Sequence, residues 1–285
     1  MVVAVAVVWQ GIGTAVVGST ISPALSTFTT AVAFFGAASI ALLVLVTREH
    51  GRFRPRERPT FREALVMNAV TAGAFGAFYI ATTLIPSTAA SVIETGLGPL
   101  IIVLILVRNG GRRAHGLVVP GLVILAAIVI AWIALHDDEE ASGSGVVLGV
   151  ALSILAGACA AGVLLSSHRI AGRGVSAARI SAVRFHLAWA LGAAIGLPVI
   201  VRGSFGPGEL LFAAGVGVTC ICIPILLLQW GVTLAEPVHA ALVISMLPAV
   251  VLVGESFMTG VLQPALAFGM AVLVVFSLIG ARLGR

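Results

Sequence analysis

Residues 240–257 read AALVISMLPAVVLVGESF, and Glu255 is the single charged side chain in this stretch. A helix needs about 20 apolar residues to cross the hydrocarbon core of a bilayer. The stretch therefore predicts most of one membrane-spanning helix. Pro248 lies near its middle and removes one backbone hydrogen bond, so a bend is expected there.

The same pattern recurs along nearly the whole chain. Of the 285 residues, 60% are hydrophobic and 9% are charged, whereas about 25% of the residues of a soluble domain are charged. This composition excludes a soluble enzyme, a disordered protein and a nucleic-acid-binding protein. The apolar runs are 2–20, 27–47, 64–85, 87–107, 115–135, 145–167, 180–201, 209–233, 238–257 and 261–281. We predict an all-α polytopic membrane protein with ten transmembrane helices, numbered one to ten in this order.

The positions of the arginines predict the orientation of the helices. Every basic residue is Arg, and positive charge accumulates in cytoplasmic loops. With the N-terminus in the cytoplasm, Arg202 and the acidic run 137–140 fall outside, and Arg184 lies within helix seven. The arginines on the cytoplasmic side are then Arg48, Arg52, Arg54, Arg56, Arg58, Arg62, Arg108, Arg112, Arg113, Arg169, Arg173, Arg179, Arg282 and Arg285. We place this multi-pass chain in the inner (plasma) membrane of a bacterium, with both termini cytoplasmic.

The second half of the sequence resembles the first. Segment 31–34 (AVAF) in helix two is similar to segment 182–185 (AVRF) in helix seven, and Pro99 in helix four corresponds to Pro248 in helix nine. Because five helices per repeat is an odd number, the two halves insert with opposite orientations. Inverted repeats of this kind are typical of secondary transporters, whose substrate site lies near the bilayer midplane. The predicted five-helix repeats are 1–140 and 141–285.

Several motifs resemble one transporter family. They are Trp9-Gln10-Gly11, Arg184-Phe185, and the run from Ala240 through Pro248 to Gly254-Glu255. Together they are similar to the EamA-type branch of the drug/metabolite transporter superfamily, whose members have five plus five helices. The segment 94–99 (ETGLGP) is similar to a Glu-x-Thr-Gly-Pro pattern of the amino-acid-exporter branch. The resemblance covers nearly the whole chain and implies transport of small organic metabolites or drugs, more often outward.

Glu94 is the acidic residue predicted to lie deepest in the membrane. A charged side chain near the bilayer centre costs at least ~2.5–3.5 kcal/mol when it faces lipid. Ser91 shares the same helical face at three residues' distance, as expected for a cavity lining. Glu94 is thus a candidate proton site or a partner for a substrate amine. The structural alternative is a neutral carboxyl group that hydrogen-bonds to a neighbouring helix.

Three further helices carry polar and aromatic side chains at helical spacing. Such stripes are typical either of a cavity lining or of hydrogen bonds between helices, and plain packing is the alternative for each aromatic ring. The candidate substrate-binding residues are Trp9, Gln10 and Thr14 in helix one, Asn68, Thr71, Phe75 and Tyr79 in helix three, and Gln229 and Trp230 in helix eight.

Four ionisable residues are candidates for a gate or for coupling. Arg184 and His186 lie in the cytoplasmic part of helix seven, and His239 and Glu255 lie near the two ends of helix nine. Arg184 either extends to the lipid headgroups, steers anionic groups or pairs with Glu94. Histidine titrates in the physiological range. Glu255 occupies the Gly-Glu position of the family that the chain resembles.

These observations predict a secondary transporter that moves a small organic metabolite or drug. An amino acid, an amine or a cationic compound is favoured, and proton-coupled export by alternating access is expected. The alternatives are a proton-independent facilitator or uptake carrier, a membrane-embedded lipid-modifying enzyme, and a scaffold without transport. The sequence has no zinc motif or phosphate-binding loop, so no enzyme, metal or cofactor is predicted. The expected partners are the substrate, protons and the bilayer, without nucleic acid, and a homodimer is an alternative to a monomer.

Overall fold

The computed structural model describes residues 1–48, 58–110, 117–136 and 143–283, and within these ranges the chain forms helices joined by short turns, without β-strands. Some of the charges used to orient the helices lie outside the described residues. They are Arg52, Arg54, Arg56, Arg112, Arg113, Arg285 and the acidic run 137–140.

Ten helices in the described ranges are long and apolar enough to cross a membrane. The prediction of an all-α chain with ten membrane-length helices is confirmed. Three of the ten are interrupted, so the shorter segments are numbered separately. The segments are α1 (Val2–Thr20), α2 (Pro23–Arg48), α3 (Phe61–Ala81), α4 (Ser87–Arg108), α5 (Val118–His136), α6 (Ser144–Ala171), α7 (Ala177–Arg184), α8 (His186–Arg202), α9 (Pro207–Val216), α10 (Ile223–Leu234), α11 (Pro237–Ile244), α12 (Leu247–Thr259) and α13 (Pro264–Leu283).

The chain divides into two compact units. Unit one contains Met1–Ala72 and Ser166–Leu234, and unit two contains Gly73–Leu165 and Ala235–Arg285. Each unit therefore takes helices from both halves of the chain. The predicted sequence repeats, 1–140 and 141–285, stay a prediction.

Unit one is held together by close packing of α2 against α7 and α8. A Cβ atom on Gly192 would lie 3.2 Å from Ala31, and one on Gly196 would lie 3.0 Å from Phe28. Small residues thus let α8 approach the α2 backbone. Beside this contact the buried rings of Phe34 and Phe185 stack with their centroids 5.5 Å apart.

Unit two is built around α4, α5 and α13. Glycines again set the distances between helices: a Cβ on Gly96 would lie 2.6 Å from Ala127, and one on Gly269 would lie 2.7 Å from Ile130. Between α11 and α12 the backbone breaks at Ser245 and Met246. The buried Ser245 hydroxyl donates to the carbonyl of Leu242 and lies 2.8 Å from the Ser277 hydroxyl of α13.

The eighth membrane-length helix contains a π-helical segment, Gly217–Cys222, between α9 and α10. Pro224 lies two residues after this segment and has no N–H to donate. Within the π segment the Ile223 N–H bonds to the carbonyl of Val218, and the i→i+5 pattern would pair the carbonyl of Thr219 with Pro224. The indole Nε1 of Trp9 instead donates to that Thr219 carbonyl at 3.1 Å. A tryptophan of α1 therefore satisfies an acceptor that the proline leaves without a donor.

We expect Trp9→Phe to lower the free energy of unfolding by about 1–3 kcal/mol more than its matched control, because a backbone acceptor loses its donor. The control is Trp230→Phe, since Trp230 is half exposed and its indole N–H has no hydrogen-bond partner among the described residues. Denaturant titration in detergent micelles measures both values. Equal losses for the two variants would contradict the role of the Trp9 indole.

Candidate functional site

The first feature of the candidate site is the interruption between α7 and α8 at Phe185. In a continuous α-helix the carbonyl of Val183 would accept from the N–H of Leu187. Here the side-chain amide of Asn68, from α3, stands between these two groups. Its Nδ2 donates to the Val183 carbonyl, and its Oδ1 accepts from the Leu187 N–H at 2.9 Å. Asn68 thus replaces one backbone hydrogen bond by two side-chain bonds.

The second feature lies beside this interruption and is a buried group of polar side chains that we call the Arg184 cluster: Arg184, Gln229 and Ser167. Arg184 ends α7 and is 7% exposed, and Gln229 of α10 is 1% exposed. The Oε1 atom of Gln229 accepts from Nη1 of Arg184 and from the hydroxyl of Ser167, the latter at 3.4 Å. The cluster brings together α6, α7 and α10 inside unit one.

The Arg184 cluster has more donors than acceptors. Nε of Arg184 and Nε2 of Gln229 are both buried, and neither has a hydrogen-bond partner in the described part of the chain. The acidic residues described in unit one are engaged elsewhere. Glu63 pairs with Arg173 at 2.6 Å, and Glu209 accepts from the Gly206 N–H at the start of α9. The guanidinium of Arg184 therefore has an amide dipole and the ring of Phe185, whose centroid is 4.6 Å from the guanidinium carbon, beside it. No described carboxylate of unit one contacts it.

We expect Asn68→Ala to lower the free energy of unfolding by about 1–3 kcal/mol, because two backbone groups lose their partner. The matched control is Thr71→Val on the same helix. Its hydroxyl is buried without a hydrogen bond in the structure, so its removal is expected to be neutral or stabilising. Detergent unfolding titrations compare the two variants, and an Asn68→Ala protein as stable as the valine variant would rule out the bridging role.

Glu94 is an ionisable side chain inside α4, a membrane-length helix, and it belongs to unit two. It is half-buried, and no described residue hydrogen-bonds to its carboxylate. Two histidines on other helices of unit two are engaged elsewhere: Nδ1 of His136 lies 3.1 Å from the carbonyl of Trp132, and Nδ1 of His239 lies 2.9 Å from the carboxylate of Glu236. The alternative of a neutral Glu94 carboxyl group that hydrogen-bonds to a neighbouring helix stays a prediction.

The backbone of Glu94 is in close contact with α6. A Cβ atom on Gly157 would lie 2.6 Å from the Glu94 carbonyl oxygen and 3.2 Å from its Cα. Gly157 therefore fixes the separation of α4 and α6 at the level of this carboxylate.

We expect Gly157→Ala to lower the free energy of unfolding by about 1–3 kcal/mol, because the added methyl group forces two backbones apart. Gly145→Ala on the same helix is the control. Its Cβ would meet no atom within 4 Å, and alanine favours helix, so no loss is expected. Melting temperatures in detergent separate the two outcomes, and equal values would show that the contact is not tight.

The remaining substrate-binding candidates are dispersed over the two units. In unit one, the hydroxyl of Thr14 is satisfied by the carbonyl of Gln10 at 2.8 Å, and Trp230 is 51% exposed. In unit two, Phe75 and Tyr79 are half-buried, and Ser91 is also half-buried with its carbonyl accepting from Thr95.

The other gate candidates each have a local setting. His186 is exposed, and its Nδ1 accepts from the indole of Trp189 at 3.3 Å. Nδ1 of His239 lies 2.9 Å from a carboxylate oxygen of Glu236, which is three residues earlier. Glu255 is half-buried near the end of α12. No three His, Cys, Asp or Glu side chains in the described ranges lie close enough to hold a metal ion.

The sequence identified Arg184, Gln229 and Asn68 as candidates, but not the contact between Arg184 and Gln229 or the bonds of Asn68 to the backbone beside them. Arg184 was placed in the cytoplasmic part of helix seven, and the other two were assigned to separate stripes. Ser167 and the interruption at Phe185 were missed. The sequence did contain a signal for buried polar partners. Arg184 is the one arginine inside an apolar run, and a buried guanidinium requires polar neighbours.

A surface cavity of about 350 Å³ lies where the start of α3 meets the end of α6. Its lining residues are Thr60, Arg62, Glu63, Val66, Ser166, Arg169 and Ile170. None of the predicted site residues lines it.

Comparisons with known proteins show the fold. No family model matches the sequence, and no curated protein matches it. Solved structures do match. One crystal structure superposes with a TM-score of 0.71 at 18% sequence identity, covering 100% of this chain and 97% of that chain. The two proteins therefore share a fold over essentially their whole length.

Proposed function

We propose that this protein is a secondary transporter that moves a small organic metabolite across the bacterial cytoplasmic membrane by alternating access. The observation that carries the proposal is the interruption of a membrane-length helix at Phe185. Irregular backbone at membrane depth is tolerated where protein groups or a water-filled cavity satisfy it. Discontinuous helices that meet ionisable side chains are how transporters build substrate sites, and here Asn68 and Arg184 lie at the discontinuity.

The proposed inverted-repeat architecture, with repeats over 1–140 and 141–285, is supported by one contact. Phe34 and Phe185 occupy equivalent positions in the two similar sequence segments, and their rings stack. Elements related by a two-fold axis contact their own equivalents where they meet that axis. A stack between equivalent residues is thus expected if the repeats are related by a two-fold axis in the membrane plane.

The proposed up-and-down order of helices three to six is supported by an ion pair, whichever side of the membrane holds the termini. The positive-inside assignment puts the start of α3 and the end of α6 on the same side of the membrane. Glu63 lies at the first of these ends and Arg173 just beyond the second, and their side chains are 2.6 Å apart. The assignment and the contact agree.

Glu94 is proposed as the site that couples transport to the proton gradient. It is half-buried within a membrane-length helix, and its carboxylate is not tied to a neighbouring side chain of unit two. A carboxyl group that alternates between protonated and ionised forms can carry one proton per cycle. It also offers a counter-charge to an amine, which agrees with an amino acid, an amine or a cationic compound as cargo.

We expect Glu94→Gln to abolish the acceleration of transport by an imposed pH gradient, because glutamine has the same shape but takes up no proton. The measurement is efflux or uptake in proteoliposomes with a panel of radiolabelled amino acids and organic amines, with and without the gradient. Exchange of the same compound across the membrane without a gradient is expected to continue.

Glu209→Gln is the matched control, since it removes a carboxylate at an exposed helix start. It is expected to keep the response to the gradient. Full pH-dependent transport by Glu94→Gln would make Glu94 a structural residue. A wild-type transport rate that does not depend on the pH gradient would identify a proton-independent facilitator or uptake carrier. Absence of any flux across the panel would contradict the transporter proposal.

A further inference from the structure

We infer that the Arg184 cluster binds the anionic group of the transported compound, so that the cargo carries a carboxylate or a phosphate. The inference rests on the proposed transport function and narrows its substrate class. Among the expected compounds it selects amino acids and other organic acids over simple amines and cations.

The first step is the charge balance of the cluster. A guanidinium remains ionised under all ordinary conditions, and a buried charge without a counter-charge is strongly unfavourable. Arg184 is 7% exposed, and no acidic residue of unit one that the structure describes contacts it. Gln229 supplies a dipole, and the ring of Phe185 lies with its centroid 4.6 Å from the guanidinium carbon, but neither carries a negative charge. An anion would supply the counter-charge that these neighbours lack.

The second step is the set of hydrogen-bonding atoms. Nη1 of Arg184 is engaged by the Gln229 carbonyl oxygen. The Nε–H of Arg184 and the side-chain N–H₂ of Gln229 have no acceptor among the described residues, although both nitrogen atoms are buried. Two unpaired buried donors match the oxygens of a carboxylate or phosphate, which accept hydrogen bonds. An amine or a quaternary ammonium group would find no negative charge here.

The third step is the location of the cluster. Arg184 is the last residue of α7, directly before the interruption that Asn68 bridges. Discontinuous helices are places where transporters bind substrate groups. The cluster thus places a positive charge without a counter-charge directly beside a helix interruption at which the Asn68 side chain replaces a backbone hydrogen bond.

The test is ligand-dependent thermal unfolding of the full chain in detergent. The probes are amino acids paired with their carboxamides, and alkyl phosphates paired with the matching alcohols. We expect at least one acid to raise the melting temperature while its uncharged partner does not. Arg184→Gln is expected to weaken that acid's binding about tenfold or more, since a charge-assisted hydrogen bond is lost. The two probe families distinguish carboxylate from phosphate cargo.

Arg202→Gln at the exposed end of α8 is the matched control and is expected to leave acid binding unchanged. The melting temperature of unliganded Arg184→Gln is a second readout. It is expected to stay the same or rise, because an uncompensated buried charge has been removed, whereas a purely structural arginine would lower it.

Three results would overturn the inference: unchanged acid binding by Arg184→Gln, carboxamides or alcohols that bind as well as the acids, or stabilisation by phosphatidylglycerol alone. Failure of the transport proposal is recognised separately. If proteoliposomes show no flux while acids still bind through Arg184, the anion site stands and the transporter does not. If flux occurs and the carboxamides are carried equally well, the transporter stands and the anion site does not.

Discussion

The fold depends on one constraint: in a hydrocarbon environment every backbone N–H and C=O must find a partner inside the protein. Continuous helices meet this constraint by themselves. The three interrupted helices do not, and each relies on a side chain. Asn68 bridges the groups freed at Phe185, Trp9 caps the carbonyl of Thr219, and Ser245 bonds to the carbonyl of Leu242 while touching Ser277. These contacts fix how helices pack within each unit.

The same constraint explains which features of the fold could be predicted from the sequence and which could not. Membrane-length helices follow from runs of apolar residues, because hydrophobicity is a property of each segment alone. Pro248 predicted a local irregularity, since the missing N–H of a proline is visible in the sequence, and Pro224 carries the same signal. The effect of each proline on the backbone could not be predicted from the sequence. Helix α4 continues through Pro99, whereas the backbone breaks just before Pro248 and widens into a π segment before Pro224.

The interruption at Phe185 had no such marker. Neither glycine nor proline stands between Arg184 and Leu187, and the break depends on an amide that comes from α3, more than a hundred residues earlier. The partner of Arg184 was hidden for a related reason. Hydrogen bonds between distant helices are set by tertiary packing, which a single sequence does not display. The sequence could therefore show which side chains were unusual for an apolar run, but not which of them would meet.

The π segment Gly217–Cys222 also sets the direction in which the side chains of α10, the helix that follows it, point. One additional residue in a helical turn rotates the subsequent side chains by about 100° relative to an uninterrupted α-helix. Gln229 comes seven residues after this segment, so the direction of its side chain toward Arg184 includes this rotation. Deleting one residue from the π segment would turn the side chains of α10 by about 100°. A side chain other than Gln229 would then face the guanidinium of Arg184.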